Sequence, residues 1–492
     1  MTKMRTASAA TLLAGLLMTG SQICDAQLKI PNLFPFPNQS GIVETNNTNG
    51  NGSIDTSGPF FQALGTNGRS CFSCHRPDQG WAISAQGMQL LFDLTAGKDP
   101  VFSTFDGSNC GTTIDTSTLE GRRKAFSLLT SRGLINIFLP VVAGAQFEVV
   151  SVSNPYGCGS TSNLSVYRRP LPTANLKFLS AVLWDGRAST PTFAPPLFQK
   201  ITAATYPASL NSDLASLTVA ATNIHEQGNI MPGDPRVQPI VDFENGLYTA
   251  QAIDYQAGFL NVNGAKGGPV PISSVPFYIG INDPFGYPNN AKGCGTGAPS
   301  PCTPFTSTIF TLYNAWSNGG WLPGAARRES IARGETVFNN VPISITGVAG
   351  INDVPGVGPV LAGHCATCHS APGIGDHSIS APLNIGIADT TNILGAAYLP
   401  VFTLKNTNTL DTVNYGKTVQ TTDPGRALIS GAWADVGKFK GPILRGVASR
   451  APYFHNGIAQ SLDDVVNFYN NRFSIGLTAQ QHADLVAFLS TL

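Results

Sequence analysis

Two five-residue motifs govern what this chain can fold into: Cys71-Phe-Ser-Cys-His75 and Cys365-Ala-Thr-Cys-His369. CxxCH sets two thiols one helical turn apart, where they can form thioethers with the two vinyl groups of one haem. The following histidine then reaches the iron from the proximal side. Two copies in one chain argue for covalent haem over a zinc or redox CxxC. Two haem c groups are therefore expected, with His75 and His369 as iron ligands.

The compartment follows from the first residues. Lys3 and Arg5 precede an apolar run from Ala9 to Gly20, and Ala26 stands at a small-residue cleavage position, so residues 1–26 read as an export signal. Cys24 invites a lipoprotein reading, but Ile23 before it is a poor small-residue position. The mature chain is expected in the periplasm, an oxidising compartment. No other segment is apolar enough to span a bilayer. A formal net charge of zero offers no footprint for nucleic acid. Of nine cysteines, four belong to the motifs and Cys24 leaves with the signal. Cys110, Cys158, Cys294 and Cys302 remain; proximity favours Cys294–Cys302 with Cys110–Cys158, while the other two pairings and free thiols stay open.

With 52 glycines and 35 prolines, the chain reads as short elements joined by long loops. Residues 100–165 and 188–310 look loop-rich. RRESIARGETVFNN predicts an amphipathic helix with Ile331, Val337 and Phe338 on one face. SLDDVVNFYNNRF and LTAQQHADLVAFLSTL predict two more, with Ser461 and Thr478 as N-caps. Helix, haem motif, loop and closing helix occur twice. The expected fold is mainly α: two cytochrome c-like domains, residues 27–323 and 324–492, each with a covalent haem and with long loop-rich insertions.

Four further motifs sharpen this. Leu183-Trp-Asp-Gly-Arg187, Asp423-Pro-Gly-Arg-Ala-Leu428, Phe439-Lys-Gly-Pro-Ile-Leu-Arg-Gly-Val447 and Ala451-Pro-Tyr-Phe-His-Asn-Gly457 fall in order around the CxxCH pair. In that order and spacing the chain resembles the bacterial di-haem cytochrome c peroxidase superfamily, which includes the MauG enzymes. The resemblance covers most of residues 55–190 and 325–492.

The resemblance implies several roles. Trp184 corresponds to a tryptophan between the two haems, a stepping stone for electrons or holes. Arg445 matches a basic residue near the haem propionates, and His377 and His455 fit hydrogen-bonding groups behind the ligands. In the peroxidases a distal histidine follows the first proximal one by about sixteen residues. Here that place is Leu91, no histidine lies between His75 and His225, and Met88 reads as packing. The first haem is thus expected to be open and able to take peroxide without prior reduction. An acid/base glutamate is expected beyond the WDGR motif; Glu226 is the first candidate and His225 the second. At the second haem the family's methionine is replaced by Tyr469, fourteen residues past His455, as in MauG enzymes. A phenolate favours the ferric state. The family's interhaem calcium is left open, because Arg169 and Arg450 fall near two of its ligand positions and added positive charge disfavours it.

The function expected is a periplasmic di-haem peroxidase or oxidase. It would react with hydrogen peroxide at the first haem, share oxidising equivalents through Trp184 with the His369/Tyr469 haem, and draw electrons from a small redox protein. Three alternatives stand beside it. One is MauG-like oxidation of a protein substrate, although Gly363 stands where those enzymes carry a surface tryptophan. Another is an oxygenase using O₂, like the di-haem rubber oxygenases. A plain electron carrier fits worst, since it gains nothing from an open iron.

Overall fold

The computed structural model describes residues 29–110, 114–189, 206–285, 304–318, 323–393 and 395–492. The export signal and the expected Cys294–Cys302 bridge lie outside these residues. Cys110 and Cys158 are joined in a disulfide.

Ten α-helices accompany thirteen short strands in five sheets among the described residues. The architecture is therefore mixed, where the sequence suggested mainly α. Much of the difference lies in residues 100–165. After the helices Leu119–Ala125 and Ser127–Arg132, strand Ile135–Pro140 pairs antiparallel with Asn163–Arg168. Between them, strand Phe147–Ser153 pairs with Val401–Asn406, which also pairs with Thr418–Thr421. Phe402 and Leu404 alternate inward in this sheet, packing with Phe147, Leu164 and Val166. The insertion and the C-terminal half thus share a sheet. A helix, Ala325–Asn340, starts just past the boundary expected at residue 323/324.

That helix, Ala325–Asn340, packs against the closing helix Ala479–Leu489. A glycine inside a helix costs about 1 kcal/mol relative to alanine. Gly334 is tolerated because a Cβ there would lie 1.8 Å from the Asp484 carbonyl oxygen, so the two backbones touch at this point. Arg333 and Ser330 both bond the Asp484 carboxylate at the same crossing. Ile331, Phe338, Val466 and Phe488 close the core over Ala366, inside the second CxxCH motif. The expected N-caps hold: Ser461 accepts from Asp464 N–H, opening helix Leu462–Arg472, and Thr478 accepts from Gln481 N–H.

The first motif rests on an aromatic floor. Trp81, Phe60 and Phe243 pack edge to face, and the Phe60 ring lies 6.5 Å from the His75 ring. The Trp81 indole N–H donates to Thr45 Oγ1 at 2.8 Å, pinning this floor to the sheet formed by Gly41–Asn47 and Leu247–Asp254. Among the described residues no helix is long and apolar enough to cross a membrane.

Candidate functional site: two cavities and a shared tryptophan

Each CxxCH motif opens into its own cavity, and each spans about 1450 Å³ of space between atoms, open solvent included. Cys71, Cys74 and His75 line the first; Cys365, Cys368 and His369 line the second. None of the four thiols is in a disulfide. His75 Nδ1 lies 3.1 Å from the Trp81 carbonyl oxygen, and His369 Nδ1 lies 2.6 Å from that of Gly375. Metal-binding histidines are commonly oriented this way, with the second ring nitrogen left free for the metal. Burial pushes His75 down to about 4 and lowers His369 as well, so both imidazoles are neutral, the form that ligates iron. Thiol pairs for attachment, oriented neutral imidazoles and mostly apolar walls make both cavities fit for covalent haem.

Trp184 lines both cavities. Its indole N–H donates to the Arg169 carbonyl at 2.7 Å, and its own carbonyl accepts from Lys440 N–H at 2.8 Å. Its ring lies 6.1 Å from that of His455, which stacks on Phe439 at 3.9 Å. The preceding residue, Leu183, sits at φ 68°, a left-handed conformation that costs a bulky L-residue about 1–2 kcal/mol.

An ionic hub holds this turn. Arg168, fully buried, reaches Asp185 at 2.5 Å and grips Asp423 with two nitrogens at 2.6 and 2.9 Å. Arg187 adds a 2.7 Å contact to Asp185, and Arg426 donates to the Asp185 carbonyl. Burial alone would raise Asp185, but Arg168 and then Arg187 outweigh it and hold it at about 2. The LWDGR and DPGRAL motifs are thus two halves of one charge network. Beside it, the Arg169 guanidinium donates to three backbone carbonyls: Ile83 at 2.6 Å, Arg132 at 2.7 Å and Arg450 at 2.8 Å. Gly133 leaves room for it, since a Cβ there would meet the guanidinium at 2.3 Å.

In the first cavity, one face of helix Tyr206–His225 (Leu214, Leu217, Thr218, Ala221) forms an apolar wall that ends in His225. His225 Nδ1 lies 2.6 Å from Asp106 Oδ2, and Asp106 Oδ1 lies 2.5 Å from Arg69. Burial would raise the Asp106 carboxyl, but its bonds to His225 and Arg69 prevail and hold it below the usual range. Glu226 also lines this cavity, with Oε2 accepting from Leu64 N–H at 2.9 Å and Oε1 lying 3.7 Å from Cys71 Sγ. The Glu226 carboxyl thus lies beside the Cys71 sulfur, whereas His225 is paired with Asp106. Met88 and Leu91 are buried together in a neighbouring apolar cluster and line neither cavity.

Tyr469, on helix Leu462–Arg472, lines the second cavity, and burial raises its phenol above the ordinary range. Arg445 lies off both cavities, with its guanidinium donating to the Gly268 carbonyl. His377 bonds the Ala381 carbonyl through Nδ1, whereas His455 lines the second cavity.

No family model matches the chain. Among curated proteins it is 34% identical over 137 residues to the cytochrome-c peroxidase IdrP2 of Denitromonas iodatirespirans, covering 26% of this chain and 36% of that protein. Over 139 residues it is 30% identical to IdrP1 of the same organism, again 26% and 36%. Over 69 residues it is 42% identical to IdrP1 of Pseudomonas sp. (strain SCT), 12% of this chain and 18% of that one. Over these stretches the chain is similar to cytochrome c peroxidases. The matched stretches span about a third or less of those relatives. A crystal structure of a MauG-like protein associated with microbial copper homeostasis aligns over 88% of this chain and 87% of its own. Its 15% identity and TM-score of 0.33 are too loose to carry an assignment.

Several residues of the first cavity and its surroundings carry little sequence signal. Asp106 lies in an insertion, so no motif spacing points to its meeting with His225, 119 residues away. Glu244, a third carboxyl in the first cavity, is pushed up to about 8 by burial and is neutral at pH 7. Arg168 has no motif of its own, though its partners Asp185 and Asp423 lie in two of them.

Proposed function

We propose that the chain is a periplasmic di-haem c-type peroxidase, reducing hydrogen peroxide with electrons from a small redox protein. The observation that carries this reading is that Trp184 lines both CxxCH cavities while His225, backed by Asp106 and Arg69, lines only the first. Covalently held haem would supply the redox chemistry, with His75 as proximal ligand in the first cavity and His369 and Tyr469 in the second.

The chain's own residues would manage protons, geometry and access. With Asp106 accepting from Nδ1, the imidazole of His225 keeps Nε2 as its basic nitrogen. It would take a proton from incoming peroxide there and return it to the departing oxygen, while Asp106 stabilises the charged ring. Asp106, kept below its usual range by the bonds to His225 and then Arg69, would hold the ring in place. The leucine wall of helix Tyr206–His225 would exclude bulk water, strengthening these interactions. Trp184, fixed at both its indole N–H and its carbonyl, would pass equivalents between cavities one electron at a time. Glu226 would steady the attachment segment through Leu64.

The test is peroxide-dependent oxidation of a reduced small cytochrome c or cupredoxin by the purified holoprotein. Turnover in wild type, lost in Trp184→Phe with peroxide binding retained, is the expected result. Equal turnover in both would remove Trp184 from the pathway.

A further inference from the structure

Lys440 is the one residue besides Trp184 that lines both cavities among the described residues. It is 7% exposed, and its ammonium makes no hydrogen bond or ion pair with any described residue. With no bond of its own, its Nζ keeps contact with open space beside largely apolar walls, where a cation gains from an anionic neighbour. Asp376 is near enough to be felt electrostatically but lies outside ion-pair distance, and its own Oδ1 is buried without a partner. The other cations of the first cavity are already engaged. Arg69 holds Asp106, Arg168 and Arg187 hold Asp185, and Arg169 holds three carbonyls. In the second cavity no other Lys or Arg, and no Asp or Glu, is found among the described lining residues.

We propose that the Lys440 ammonium is a shared anchor for carboxylate groups, one from the occupant of each cavity. On the di-haem reading, on which this rests, those groups are the propionates at the edge of each macrocycle. Arg445, the basic residue expected there from the sequence, faces away and donates to Gly268. Lys440 also donates its backbone N–H to the Trp184 carbonyl, so the two residues shared by the cavities are tied to each other. A single positive charge seen by both irons disfavours their ferric states together.

The test uses holoprotein, in which the Cys thioethers keep haem attached whatever happens to Lys440. Midpoint potentials of both haems are measured by spectroelectrochemistry in wild type, Lys440→Gln, Lys440→Arg and Asp376→Asn, with haem content from the pyridine haemochromogen. The expected result is a negative shift at both haems in K440Q, recovery in K440R and none in D376N. Potentials unmoved in K440Q, or moved at one haem only, overturn the shared anchor. A shift in D376N overturns it too, by making Asp376 the counter-ion. Fewer than two haems per wild-type chain sinks the di-haem reading and the anchor with it; two haems with unmoved potentials sinks only the anchor.

Discussion

Replacing Arg168 by methionine should destabilise the protein through two carboxylates at once. Arg168 is the only cation within ion-pair distance of the Asp423 carboxylate, apart from His455 at 4.0 Å, and shares Asp185 with Arg187, all among the described residues. Asp185 and Asp423 are buried, so neither can recover hydration without opening the fold. The drop of Asp185 from 3.8 to about 2 corresponds to about 2–3 kcal/mol of stability at neutral pH. Breaking a buried pair by deleting one partner costs about 3–5 kcal/mol, and Arg187 remains to soften the loss at Asp185. We expect R168M to lose about 3–5 kcal/mol at pH 7, read by urea unfolding of the holoprotein followed by far-ultraviolet circular dichroism. The sign with pH follows from Asp185. Its folded pKa lies below its unfolded one, so its contribution is full above about pH 4 and is lost as pH falls through about 2. The gap between R168M and wild type should therefore narrow below pH 4. A variant within about 1 kcal/mol of wild type at pH 7, or a gap constant down to pH 2, would refute the reasoning.

Arg169→Met should leave the carbonyls of Ile83, Arg132 and Arg450 without donors, at about 1–3 kcal/mol each. Arg169→Lys should recover part of that loss in the same unfolding assay, and chelators should leave wild-type stability unchanged because the guanidinium already serves these oxygens. His225→Ala should lower peroxide turnover about 10²–10⁴-fold. Asp106→Asn should lower it less, and Glu226→Gln least of the three, all read by steady-state oxidation of a reduced donor. Tyr469→Phe should raise the midpoint potential of one haem and alter only its spin-state signature.

That each CxxCH motif lines a cavity was legible in the sequence because the motif is local: five residues carry both thiols and the histidine. Helix caps were legible for the same reason, as at Ser461 and Thr478. The mixed architecture was not, since Phe147–Ser153 finds its partner in Val401–Asn406, some 250 residues on, and pairing between distant strands leaves no periodic trace. Trp184 could be singled out from its motif, but its hold by Arg169 and Lys440 depends on three remote segments meeting. The pairing of His225 with Asp106 was not legible, because Asp106 lies in an insertion with no motif of its own. Lys440 stood in a quoted motif without a role, because lysine's burial, not its presence, makes it informative.

The most direct measurement is the optical and electron paramagnetic resonance spectrum of the fully ferric holoprotein, before and after one equivalent of hydrogen peroxide. Two haems per chain are predicted, one high-spin and one low-spin, with an immediate spectral change at both on adding peroxide. Two low-spin haems that ignore peroxide until one is reduced would contradict an open first cavity served by His225 and coupled through Trp184.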